Sequence, residues 1–142
     1  MKSLAEILEA KGGEVLEIDA DATVLDAVRT MVEMNVGSLL VTEGGEITGI
    51  VTERDYLRRV TLQGRTENAP VREIMSSPIV VAKAETTVDE CMALMTDRRI
   101  RHVPVVDDDK VVGLVSIGDL VKFKSEEQTF EIQFLTNYIT SG

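Results

Sequence analysis

The chain has 142 residues, of which 44% are hydrophobic but only 4% aromatic, with no Trp, so its core must be built from Val, Ile, Leu and Met. Twenty-five acidic against fifteen basic residues give a net charge of −10, which argues against nucleic acid and against anionic membrane surfaces, since both select cations. No run approaches the ~18 apolar residues of a membrane span, the first residues carry neither a signal-peptide core nor Arg-rich transit character, and a single cysteine suits a reducing cytoplasm.

In chain order, a short lead-in, Leu4-Ala5-Glu6-Ile7-Leu8, precedes the alternating strand Val15-Leu16-Glu17-Ile18. Asp19, Ala20 and Asp21 break that strand, and Thr23 can cap a helix. Val24, Ala27, Val28 and Met31 then fall three, four and seven residues from the first, as on one helix face. The helix is expected to stop near Asn35-Val36-Gly37, with Gly37 as a left-handed stop. Ser38 to Val41 and Ile47 to Val51 read as two strands around the hairpin signal Glu43-Gly44-Gly45-Glu46. A closing helix follows Thr52. Gln63 to Pro78, with Pro70 and Pro78, reads as a connection.

The same order then returns. At an offset of 64, Thr23-Val24 recurs as Thr87-Val88, Met31 as Met95, Val41 as Val105, Gly49 as Gly113 and Asp55 as Asp119, without a gap. Val88, Cys91, Met92 and Met95 repeat the helix face. His102 to Val106 and Val111 to Val115 flank Asp107-Asp108-Asp109-Lys110, and a helix follows Ser116. Val71-Arg72-Glu73-Ile74-Met75 echoes the lead-in at an offset of 67. The chain is therefore α/β (α+β), a tandem pair of β-α-β-β-α units, each needing further surface to cover its apolar face. By chain order the divisions are 4–63, a linker with lead-in at 64–78, 79–124, and a C-terminal amphipathic helix at 125–142. On that tail Phe130, Phe134, Leu135, Tyr138 and Ile139 form one stripe, which suits either a cover for the chain's own core or a subunit contact in a homodimer.

The repeat ends carry the chemistry. Gly49-Ile50-Val51-Thr52-Glu53-Arg54-Asp55 matches Gly113-Leu114-Val115-Ser116-Ile117-Gly118-Asp119. A strand ends, a helix begins, and its first N–H groups lack internal partners and carry the positive end of the dipole. A hydroxyl there can donate to a phosphate oxygen, and a carboxylate one turn later can accept from the two hydroxyls of a ribose. The same spacing also serves as a plain helix N-cap without any ligand. Both readings stand at this level.

Taken with Thr87-Val88-Asp89-Glu90 and Arg101-His102-Val103-Pro104-Val105-Val106-Asp107, these motifs resemble CBS domains, named after cystathionine β-synthase, and the pair resembles a Bateman module. The resemblance spans Leu4 to Lys124. It implies two units packed sheet to sheet about a pseudo-twofold, with sites in two clefts between them. It also implies an adenosine-containing ligand such as AMP, ADP, ATP, S-adenosylmethionine or NAD(H), and no catalytic cofactor. Carried over, Asp55 and Asp119 would hold ribose and Thr52 and Ser116 phosphate. Backbone near Ile18 and near Val80-Val81, in the short first strands, would meet adenine. The stand-alone members with Thr-Glu-Arg-Asp in the first copy are the most similar type.

The copies diverge at Arg98-Arg99-Ile100-Arg101-His102, where the first has Val36-Gly37-Ser38. Arg99, Arg101 and His102, with Arg54 in the other copy, suit either a phosphate clamp or a solvated helix end. Enzyme readings find little material. Cys91 lies on an apolar helix face, and His102 has no second His or Cys to complete a metal set. The leading expectation is a nucleotide-sensing regulatory module that signals to another protein. The alternative is a protein-interaction scaffold whose corners are only caps.

Overall fold

The computed structural model describes residues 2–12 and 15–141, with side chains up to 129. The chain falls into two compact units, one formed by Glu14–Val80 and the other by Met1–Gly13 together with Val81–Gly142.

In the continuous unit, β1 (Glu17–Asp19) runs parallel to β2 (Ser38–Glu43), and β2 is antiparallel to β3 (Glu46–Thr52), giving the order β1-β2-β3. Helix α2 (Val24–Met34) starts on a reciprocal cap, in which the Thr23 hydroxyl accepts from the Asp26 N–H and the Asp26 carboxylate accepts from the Thr23 N–H. It buries Val24, Ala27 and Met31 in one cluster with Leu39, Val41 and Val51 of the sheet. Full burial of each of the Val, Leu and Met side chains contributes about 1.5–3 kcal/mol before entropy is counted, and Ala27 less. The left-handed stop is Asn35, with φ 54, and not Gly37 as expected from sequence. The Asn35 N–H reaches back to the carbonyls of Met31 and Val32 one residue after the helix, so the bend is already made before Gly37. Gly44 and Gly45, with φ 57 and 84, close the β2–β3 hairpin.

After β3 comes a single helical turn, α3 (Glu53–Asp55), which opens directly into a π-helical stretch over Tyr56–Leu62. The connection contributes a 3-10 turn, Val71–Glu73. Val71 and Ile74 are buried in the same core, and Arg72 pairs with Asp21 and Glu43 at its exposed rim. Ser76 then joins the free edge of β3, donating its N–H to Ile50 O at 2.8 Å and accepting the Ile50 N–H at 3.1 Å. Gly49 permits this close approach. A Cβ there would lie 2.6 Å from Met75 Sδ and 2.9 Å from Ser76 O.

The second unit repeats the plan. β4 (Ala82–Lys83) is parallel to β5 (His102–Asp107), which is antiparallel to β6 (Lys110–Ser116). The strand expected at Val80-Val81 lies two residues later. Its pairing is fixed by Ala82 opposite Val105, and Val80 and Val81 precede it outside any strand. The first strand of the other unit is likewise displaced, from Val15–Ile18 to Glu17–Asp19. Helix α4 (Val88–Arg98) has a Thr87–Glu90 cap and buries Val88, Cys91 and Met95. Burial pushes the Cys91 thiol up to about 11. Arg99, with φ 55, makes the left-handed stop, and Asp108 and Asp109 take the hairpin positions with φ 49 and 60.

The lead-in helix α1 (Leu4–Lys11) belongs by packing to this second unit. Leu4 and Ile7 enter the core with Val103, Val105 and Val115. The Leu4 N–H donates to Thr86 O, the Ala5 N–H to Ala84 O, and the Val88 N–H to Lys2 O. A Cβ on Gly113 would lie 2.6 Å from the Leu8 methyls. The compact units thus differ from the chain-order division, because each lead-in covers the sheet of the other repeat. The expected closing and C-terminal helices form one element, α5 (Ile117–Ser141). The Phe130, Phe134 and Tyr138 side chains lie outside the described residues.

Candidate functional site

At the first corner, β3 delivers Thr52 to the start of α3. The Thr52 N–H and hydroxyl both donate to Asp55 Oδ2, at 2.9 and 3.1 Å, and the Asp55 N–H donates to Thr52 Oγ1 at 3.2 Å. The remaining oxygen, Oδ1, accepts from Ser76 Oγ at 3.3 Å. Asp55 is only 6% exposed. This corner is a closed cap, with both carboxylate oxygens and the Thr52 hydroxyl proton engaged. Arg54 beside it is exposed and makes no ion pair among the described residues.

The second corner has the same backbone and a different filling. The Ser116 N–H donates to Asp119 Oδ2 at 2.8 Å, and the Asp119 N–H donates to Ser116 Oγ at 3.1 Å. Lys11, at the end of α1, places Nζ 2.8 Å from Asp119 Oδ2 and 2.9 Å from Leu114 O. Asp119 Oδ1 has no hydrogen-bond partner among the described residues, and the Ser116 hydroxyl proton is uncommitted. Burial opposes ionisation of Asp119, but hydrogen bonds and charge from Lys11, with those from Ser116, outweigh it and hold the carboxyl below its ordinary 3.8. The carboxylate is therefore charged at neutral pH, and its side chain is 24% exposed.

Sheet register fixes which other expected residues stand near. His102 lies directly opposite Ser116 across β5 and β6, as Ser38 lies opposite Thr52. Cross-strand partners share a sheet face, so His102 and Ser116 point to the same side. His102 is half-buried and engaged with neighbouring groups. The Arg101 carbonyl accepts the first N–H of α5, from Ile117, at 2.8 Å, and its side chain is exposed. Arg99 serves as the left-handed helix stop, with an exposed side chain. Ile18 lies opposite Val41, three positions along β2 from the Ser38–Thr52 pair. Val80 and Val81 end one compact unit and begin the other.

Two residues at the corners escaped sequence reasoning, Lys11 and Ser76. The repeat offset hides them, because Ser76 aligns with Glu9 and not with Lys11. Among the described residues no His, Cys, Asp and Glu set is arranged to hold a metal, and no helix is long and apolar enough to cross a membrane.

The model of one family, the CBS domain, matches residues 13–61 and 71–126. A mitochondrial CBS domain-containing protein of Arabidopsis thaliana, CBSX3, is 41% identical over 99% of this chain and 73% of its own length. The structure of a protein with CBS domains from Burkholderia ambifaria is 44% identical, with a TM-score of 0.85, covering 89% of this chain and 96% of that one. The CBS domain pair of protein MJ0100, in complex with 5′-methylthioadenosine and S-adenosyl-L-methionine, shares the fold at 23% identity, with a TM-score of 0.77 over 89% of this chain and 98% of that one. Duplicated corners, matching sheets and the matched residues agree: this chain belongs to the CBS domain family and carries two copies of the domain.

Proposed function

We propose that the chain is a regulatory module that binds an adenosine-containing ligand, of the AMP, ADP, ATP or NAD(H) type, at Ser116 and Asp119, and signals its occupancy to another protein. The carrying observation is the open second corner: a charged carboxylate whose Oδ1 has no partner among the described residues, one turn from a hydroxyl that donates to none of them. Oδ1 and Oδ2 suit a ribose diol and Ser116 Oγ suits a phosphate oxygen. Thr52 and Asp55 form the second, closed site of the pair, which a ligand enters only by exchanging the Ser76 and Thr52 hydrogen bonds. Arg54, Arg99, Arg101 and His102 tune phosphate preference, and backbone near Ile18, Val80 and Val81 meets the base. Support comes from the MJ0100 pair, which shares the fold and holds two adenosine compounds. A single buried cysteine suits a reducing compartment such as the cytoplasm.

Calorimetry with AMP, ATP and NADH tests the reading. A hydrogen bond to a charged group is worth roughly 1.5–3 kcal/mol, so Asp119→Asn should weaken binding about ten-fold or more. Wild-type affinity in Asp119→Asn, with the fold intact, removes the site assignment.

An apolar groove favours a second reading, protein interaction, including homodimer formation. Val28, Met31, Val32, Tyr56 and Leu57 line it between α2 and the π-helical stretch. Val32 and Leu57 are 74% and 57% exposed. This reading gains if saturating nucleotide leaves the melting temperature unchanged, since ligand at 100 times its dissociation constant stabilises by about 2.7 kcal/mol.

A further inference from the structure

The two corners satisfy matching acceptors with chemically different donors. In the Glu14–Val80 unit, Ile50 O accepts the Ser76 N–H and Asp55 Oδ1 accepts the Ser76 hydroxyl. At an offset of 64 the matching groups are Leu114 O and the Asp119 carboxylate, and a single ammonium, Lys11 Nζ, holds both. Ser76 is fixed, because its N–H and C=O pair with the edge of β3. Lys11 sits at the end of α1 and reaches the corner only through its side chain, which is 40% exposed. An ammonium has three donors. Two face Asp119 and Leu114, and the third has no partner among the described residues.

We infer that Lys11 makes the second corner selective for phosphorylated adenosine ligands over uncharged adenosine. This rests on the ligand site proposed above and names its ligand class. A ribose diol on Asp119 must share the carboxylate with Lys11, a cost common to adenosine and AMP. Only AMP returns it. A phosphate at Ser116 Oγ sits beside the Asp119 carboxylate that Lys11 already touches, so the third N–H gains an anionic acceptor. In a chain of net charge −10, an anionic ligand at this corner needs a local cation. Lys11 is the cation in contact with the aspartate, with His102 opposite Ser116 as the other basic group. At the first corner Ser76 is neutral, and it supplies no such charge.

The test is a titration of the full chain with AMP and with adenosine, following the backbone amide resonances of Gly113, Gly118 and Asp119 apart from those of Gly49 and Asp55. Wild type should prefer AMP by about ten-fold or more, the worth of one charge-assisted contact. Lys11→Met, and Lys11→Gln, which keeps a donor without the charge, should bring the ratio near parity by weakening AMP. Lys11→Arg should retain the preference. An AMP preference that survives in Lys11→Met or Lys11→Gln overturns the inference, and so does an equal loss of both ligands. If neither ligand moves those amides in wild type, the ligand site falls and the role of Lys11 falls with it. An unchanged ratio in a binding-competent variant removes Lys11 alone.

Discussion

A methyl group added at Gly49 would meet Met75 Sδ at 2.6 Å and the Ser76 carbonyl at 2.9 Å, whereas the atoms nearest one at Gly113 all belong to the Leu8 side chain. A carbonyl held in a backbone pair cannot step aside, but a leucine tip can rotate. Gly49→Ala should therefore cost about 1–3 kcal/mol, the usual range for overpacking, and Gly113→Ala less. Urea denaturation of the two variants checks the order, and equal losses would contradict it. The residue scale is also where sequence reading failed at the site. Thr52, Asp55, Ser116 and Asp119 were legible because a strand-to-helix corner is local and repeats in register. Lys11 was not, since it lies 108 positions from Asp119 and nothing in an eight-residue lead-in reports which sheet it will cover.

Among the elements, helices α2 and α4 begin where the sequence places them. Thr23 and Thr87 are followed three residues later by an acid, and both caps form. Their ends were less legible, because the stops fall on Asn35 and Arg99, side chains that tolerate a positive φ without advertising it. The two hairpins show the same contrast. Gly44 and Gly45 occupy left-handed positions at no steric cost, while Asp108 and Asp109 hold the matching positions with φ 49 and 60. Asp109→Gly should relieve that strain and raise stability by about 0.5–1 kcal/mol, reduced by the extra freedom glycine brings to the unfolded chain. A rise in melting temperature without change in ligand affinity is the expected result. The short first strands were read two residues early, since apolar Val80-Val81 and Val15-Leu16 signal extended chain while the ladder itself forms at Ala82 and Glu17.

For the whole molecule, the exchange of lead-ins decides what counts as a folding unit. The sequence showed that each lead-in belongs to the repeat pattern, but chain order suggested that each serves the unit it precedes. Packing puts Leu4 and Ile7 with Val103, Val105 and Val115, and Val71 and Ile74 with Leu39, Val41 and Val51. Deleting residues 2–12 should weaken amide-exchange protection at Val103 and Val115 far more than at Val41 and Val51. Equal loss in both units would show that stability is not divided along these lines.

The exchange also has a consequence for the order in which the protein is made. Everything the Glu14–Val80 unit packs is contiguous, so that unit is complete once residue 80 has left the ribosome. Helix α1 precedes that unit in the chain and yet has no sheet to cover until β5 and β6 have followed it. Its apolar side, Leu4, Ile7 and Leu8, therefore stays unsatisfied until the chain has been made as far as Ser116. Helix α1 would fold after elements that follow it in the chain, and Lys11 would reach Asp119 only when the second corner itself exists.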